Sequence, residues 1–191
     1  MKVVAFNGSP RKNGNTSILI KTVCKELEKE GIETELVTLG GSSLRGCMAC
    51  FKCFERSDGT CVIESDMVNE CVAKMREADG IILGSPAYFA NVTTEMKALI
   101  DRAGLVAMAN PGMLRHKVGA AVAVARRVGA MQVFQQLNTF FSCFEMFTAG
   151  SIYPNMALGE GVGDVESDTM GLEIMATLGR NMALLIKKVK S

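Results

Sequence analysis

Short apolar runs alternate with amphipathic stretches five times along this chain, and that alternation limits the fold more than any other feature. Residues 2–6, Lys-Val-Val-Ala-Phe, read as a buried strand that stops at Asn7-Gly8-Ser9-Pro10. Residues 15–30 read as a helix, with Leu19, Val23 and Leu27 on one face and Gly31 as its stop. Residues 33–38 alternate as an edge-like second strand, and Asp66 opens a helix to about Ala78. Residues 80–84, Gly-Ile-Ile-Leu-Gly, make a fully apolar and therefore central third strand, broken by Ser85-Pro86. A helix from about Val92 to Met108, a strand over 118–125 and a helix over 130–142 follow. A fifth strand over 145–153 and a closing helix over 168–189 complete the pattern. Short apolar strands separated by amphipathic helices argue for a parallel sheet covered on both faces. Right-handed crossovers leave few topologies, and a doubly wound five-stranded α/β sheet in the flavodoxin-like order, a three-layer sandwich, fits this length.

The 191 residues suit one domain, 1–191, in which 40–64 is an irregular, cysteine-rich insertion loop after strand two. Lys plus Arg number 21 and Asp plus Glu 20, a balance that argues against a nucleic-acid or membrane-surface partner. No apolar run reaches membrane-spanning length, and the opening turns to Gly and Ser too soon for a secretory signal, which points to the cytoplasm. With His116 as the sole histidine, a two-His metal site within one chain is excluded.

In open α/β sheets ligands bind beyond the carboxyl ends of the strands, so the loops there are candidate walls of one site. The loop after strand one, Gly8-Ser9-Pro10-Arg11-Lys12-Asn13-Gly14-Asn15-Thr16-Ser17, runs into a helix N-terminus. Free N–H groups and the helix dipole favour an anion there. Ser9, Asn15, Thr16 and Ser17 supply short hydrogen-bonding side chains, and Arg11 adds positive charge. The loop has neither a Gly-Lys-Ser/Thr ending nor a Gly-x-Gly-x-x-Gly pattern, which disfavours a Walker or ordinary Rossmann site.

Ser9-Pro10-Arg11-x-x-x-Asn15-Thr16 after an apolar strand resembles the phosphate loop of the NADPH-dependent FMN reductase and flavodoxin-like oxidoreductase family. The resemblance continues at Gly84-Ser85-Pro86-Ala87-Tyr88-Phe89, at Lys97-x-x-Ile100-Asp101-Arg102 and at Leu178-Gly179-Arg180-Asn181. It implies an FMN cofactor whose phosphate sits on the first loop and whose ring is wrapped by the segment after strand three. A flavin ring wants an apolar face and backbone groups at its polar edge, which Pro86, Ala87, Tyr88 and Phe89 offer in a turn. Asn91 is placed to reach a ring edge or to cap the next helix. Tyr88 is the candidate proton donor or ring cover. After strand four, relatives place small residues, and Ala125 and Gly129 fit that pattern. Arg126 and Arg127 depart from it, either to neutralise reduced flavin, to bind a donor's phosphate, or as a solvated helix start.

Cys47, Cys50, Cys53 and Cys61 form a C-x2-C-x2-C-x7-C group, whereas Cys24, Cys71 and Cys143 are scattered and read as small buried hydrophobes. Closely spaced thiolates on a loop suit an iron–sulfur cluster. The spacing and its position after strand two resemble the iron-sulfur flavoproteins, which carry a [4Fe-4S] cluster beside FMN. Phe51 and Phe54 would shield such a cluster from water. A zinc site, a redox-active C-x2-C pair and plain packing stand beside that reading.

The resemblance implies an FMN-dependent oxidoreductase. It would move electrons from NAD(P)H or ferredoxin to a small-molecule acceptor such as a quinone, flavin or oxygen species. It also implies a homodimer or homotetramer, with Ala103–Met113 and 128–147 as apolar surface candidates. A non-catalytic flavodoxin-like carrier is the alternative, and the near-neutral charge speaks against it.

Overall fold

Val3, Val4, Ala5 and Phe6 are fully buried because β1 (Lys2–Asn7) has a strand on each side and helices over both faces. The computed structural model describes residues 1–191. β2 (Glu33–Thr38) pairs parallel with one side of β1, and β3 (Gly80–Pro86) pairs parallel with the other. β4 (Val118–Ala125) lies beside β3, so the order runs β2-β1-β3-β4-β5, that of the flavodoxin-like fold. β2 is the edge, and its residues are mostly half-buried, as their alternation predicts.

Successive side chains of each strand enter opposite layers. Val3, Ala5, Ile82 and Val122 pack beneath α1 (Asn15–Lys29) and α6 (Thr169–Lys190). Val4, Phe6, Ile81 and Leu83 pack beneath α3 (Val68–Glu77), α4 (Thr94–Ala109) and α5 (Ala130–Ser142). The predicted three layers are therefore observed. No helix is long and apolar enough to cross a membrane.

The fifth strand departs from its predicted span of 145–153. Only Phe147–Thr148 form β5, against the start of β4, and Met156–Leu158 form β6, against its end. Between them the chain leaves the sheet, and Pro154 has no N–H to give to a ladder. The insertion loop is irregular apart from α2 (Lys52–Arg56). Cys24 and Cys71 are buried as expected, and burial pushes their thiols up to about 11 and about 12. Cys143 is exposed, against expectation, because α5 ends there and its residue no longer faces the sheet.

Gly179 lets α6 cross close to α1. A Cβ there would lie 2.7 Å from the Val23 carbonyl oxygen and 2.7 Å from Glu26 Cβ. The Gly179→Ala substitution should therefore lower unfolding stability by roughly 1–3 kcal/mol through overpacking, read from urea melts. An unchanged midpoint would show that the two helices separate freely.

Candidate functional site

Beyond the carboxyl ends of β1, β3 and β4 lies a groove lined by Ser9, Arg11, Asn15, Thr16, Pro86, Ala87, Tyr88, Val124, Ala125 and Arg126. Gly159 and Glu160 close it from the segment before α6, which the sequence reading did not include.

The end of the groove under α1 is built for an anion. Gly14 stands at the N-cap with no side-chain cap, so the first-turn N–H groups keep their donors free. Thr16 and Ser17 are each 1% exposed, and neither hydroxyl has a partner in the protein. An unmet buried hydroxyl costs about 1–3 kcal/mol, and an anion seated on the helix N-terminus would supply the missing acceptor. Ser17 sits beneath this turn rather than on the groove wall. Asn15 lines the groove, but its side chain is already committed. Its Nδ2 donates to the Gly161 carbonyl at 2.8 Å, and its Oδ1 accepts from the Gly163 N–H at 2.9 Å. It clamps the closing segment onto the loop. The Ser9 hydroxyl oxygen accepts from the Arg11 N–H at 3.2 Å and holds the loop's bend. Gly40 passes so close that a Cβ would lie 1.9 Å from the Ser9 carbonyl oxygen. The cysteine segment thus braces the anion loop where it leaves β2.

The other end of the groove is flatter and more apolar. Tyr88 and Asn91 exchange backbone hydrogen bonds at 2.9 and 3.0 Å across a tight turn. Phe89 and Ala90 at its tip have φ of 50° and 60°, an unusual conformation for side-chain-bearing residues. Tyr88 is 47% exposed over the groove, and Phe89 stands fully exposed outside it. Asn91 neither reaches the groove nor caps a helix. Its amide oxygen accepts from Gln136 at 2.9 Å, and Thr93 caps α4 instead. Gly129 starts α5 at φ 95° and packs against the Ala87–Ala90 turn rather than lining the groove.

Of the two arginines, Arg126 lines the groove and pairs with Glu160 across its mouth at 3.0 Å. Arg127 lies outside it, beside an apolar hollow with Val128, Met131 and Met170. His116 stacks on Phe147, away from this rim.

Cys47, Cys50, Cys53 and Cys61 line a second, small apolar pocket with Phe51, Ile63, Leu105 and Val106. Ala49 and Phe51 at φ 50° and 55° curl the loop so that its cysteines meet one space. The Ala49 N–H donates to Cys47 Sγ at 3.4 Å, and Arg102 Nε donates to Cys61 Sγ at 3.3 Å. Burial raises the Cys53 thiol, and Cys61 and Cys47 nearby raise it further. Cys47 and Cys50 are exposed, and Phe51 and Phe54 are only half covered. No three His, Cys, Asp or Glu side chains are gathered as the ligands of a single metal ion would be. Four thiols around one apolar space are a donor set that suits a group taking one thiolate at each corner.

An anion cradle under a helix N-terminus, continuous with an apolar groove beyond parallel strands, is a flavodoxin-like arrangement suited to a phosphorylated ligand with a flat apolar part. The NADPH-dependent FMN reductase family profile matches residues 1–161, and the chain belongs to that family. An iron-sulfur flavoprotein of Methanocaldococcus jannaschii is 40% identical over 197 residues, covering 100% of both chains. An iron-sulfur flavoprotein of Methanosarcina thermophila is 31% identical over 194 residues, covering 100% of this chain and 97% of its own. Among solved structures, RosB with bound 8-demethyl-8-formylriboflavin-5'-phosphate superposes with a TM-score of 0.75 at 19% identity. It covers 100% of this chain and 80% of its own, and shares the fold.

Thr16→Val removes a hydroxyl that has no partner in the protein but keeps its shape. It should leave stability without FMN unchanged or higher and weaken FMN by about tenfold, the loss of about one charged hydrogen bond. Flavin-fluorescence titration and urea melts read the two effects. Unchanged affinity would move the phosphate elsewhere.

Proposed function

We propose that this protein is an FMN-dependent oxidoreductase. It takes electrons from NAD(P)H or a ferredoxin and gives them to a small acceptor such as a quinone, flavin or oxygen species. Cys47, Cys50, Cys53 and Cys61 hold a [4Fe-4S] cluster as its second redox centre. The observation that carries the flavin part is the pair of buried, unpartnered hydroxyls on Thr16 and Ser17 beneath an uncapped helix N-terminus. The cluster part is supported by four thiols around one apolar pocket and by the two relatives named iron-sulfur flavoproteins. RosB's phosphorylated flavin supports the same use of this fold.

When bound, FMN supplies one- or two-electron transfer and the cluster one-electron transfer. The chain's own residues position and screen. The free N–H groups of the first turn of α1 and the Thr16 hydroxyl hold the phosphate, and Arg11 adds positive charge beside it. Pro86, Ala87 and Tyr88 form the wall for the ring, with Tyr88 covering it. Arg126 faces the mouth, where its charge favours electron-rich flavin, and Glu160 holds it in place. Arg127, on the same loop, stands outside the groove beside an apolar hollow and takes no part in holding the flavin. No side chain here needs to act as a nucleophile. The exposed apolar rim of Phe89, Val128 and Met131 supports assembly as a homodimer or homotetramer. Seven unpaired cysteines fit a reducing cytoplasm.

Protein purified without oxygen should show flavin absorption bands with a broad cluster shoulder. It should contain about four irons and as many acid-labile sulfides per chain. Steady NADPH turnover with a quinone would establish the enzyme; reduction only by a partner protein would replace it with an electron carrier. Flavin without iron would remove the cluster, and a protein that takes up no FMN would overturn the whole reading.

A further inference from the structure

Arg102 heads the fully buried side chains by size, and nothing in the flavin groove uses it. It lies on α4, in the wall of the cysteine pocket. Its guanidinium is engaged on every side. Nη1 donates to Asp66 Oδ2 and to the Arg45 carbonyl, Nη2 donates to the Ile63 carbonyl at 2.8 Å, and Nε donates to Cys61 Sγ at 3.3 Å. The Arg102 and Asp66 side chains are 0% and 5% exposed. Burial works against both charges. The buried ion pair between them, with the Arg45 and Ile63 carbonyls on the guanidinium, offsets that cost.

Cys61 is gripped from a second direction. The Asn69 amide oxygen accepts from the Cys61 N–H at 2.7 Å, and its Nδ2 donates to the Cys61 carbonyl at 2.9 Å. Side chains of two helices, α3 and α4, therefore fix this residue, whereas Cys47 and Cys50 stand on an irregular, exposed stretch.

We infer that Arg102 is a positioning residue for the cysteine pocket: it aims Cys61 Sγ at the space shared with Cys47, Cys50 and Cys53 and presents a fixed buried cation there. This rests on the reading that the four cysteines hold a cluster. A cation touching a ligand sulfur in a poorly screened interior stabilises an added electron more than it stabilises the oxidised state. Asp66 carries the opposite charge, bound through Nη1 rather than next to the sulfur through Nε. Arg102 therefore dominates at the sulfur, and Asp66 partly offsets it.

The test is the reduction potential of the cluster in the full-length, FMN-loaded protein, measured beside that of the flavin. Arg102→Gln should lower the cluster's one-electron reduction equilibrium at least tenfold, equivalent to 59 mV. Asp66→Asn should raise it, and Arg102→Lys, which keeps the charge, should fall between Arg102→Gln and the parent. The flavin potential should move in none of them. The opposite signs are decisive, because both Arg102→Gln and Asp66→Asn break the same buried pair. A purely structural role would shift both in one direction or neither, and either result overturns the inference. If Arg102→Gln does not fold, the upward shift in Asp66→Asn decides alone. A parent that binds FMN without iron removes the cluster reading and this inference together. A loaded parent with indistinguishable variants removes only the inference.

Discussion

Parallel strands cannot be joined by tight hairpins; each needs a crossover that returns the chain to the starting end of the sheet. Every strand pair in this protein is parallel. The loops that leave the strands therefore gather on one rim, and the residues on that rim come from segments far apart in sequence. Asn15 reaches Gly161 and Gly163, and Gly40 rests on Ser9. The site follows from this constraint. Local hydrogen bonds bend each segment, the Arg11 N–H donating to the Ser9 hydroxyl oxygen and the Glu160 and Gly161 N–H groups to the Asp164 carboxylate, and the sheet then brings the two segments within reach of each other.

The two pockets meet their polar requirements in opposite ways. At the head of α1 the hydroxyls of Thr16 and Ser17 are buried without partners, and Asn7 Nδ2 close by in the chain is unpaired as well. Such groups cost stability until something fills the groove, which is how a cofactor site couples binding to folding. The cysteine pocket is braced from within. Arg102 and Asn69 spend their hydrogen bonds on Cys61, Ile63, Asp66 and Arg45, so the fourth cysteine is held whatever its sulfur binds.

The layers were legible because they rest on period: apolar strands and amphipathic helices alternate, and burial reproduces that alternation residue by residue. The anion loop was legible because uncapped helix starts rich in Ser, Thr and Asn have a direct electrostatic meaning. What escaped depends on tertiary direction. Asn91 and Arg127 belong to the right loops, but one turns to Gln136 and the other faces an outer hollow. Gly159 and Glu160 escaped because Pro154 splits the last strand, and the residues after it return to the rim. Their signal was the run Gly159-Glu160-Gly161-Val162-Gly163, too glycine-rich for the helix or strand on either side. Arg102 was quoted within a family motif but carried no role. In sequence it is one more charge on a helix, and only the structure separates it from half-buried Asp101, which pairs with Lys97 one turn back.

Helix α4 relates the two pockets to each other. At its start the Thr93 hydroxyl donates to the Gly8 carbonyl at 2.7 Å, and the Thr93 N–H donates to the Ser85 hydroxyl oxygen at 3.1 Å, tying the helix to the ends of β1 and β3 beneath the groove. Nine residues on from Thr93 comes Arg102, at the cysteine pocket. At 1.5 Å per residue the two anchor points stand roughly 14 Å apart along one rigid rod. A helix hydrogen-bonded at both anchors cannot shorten or lengthen, so it fixes the spacing between the anion loop's support and the fourth cysteine. The irregular segment 40–64 is then free to be irregular, since its two ends are pinned, one by Gly40 against Ser9 and the other by Cys61 against Arg102.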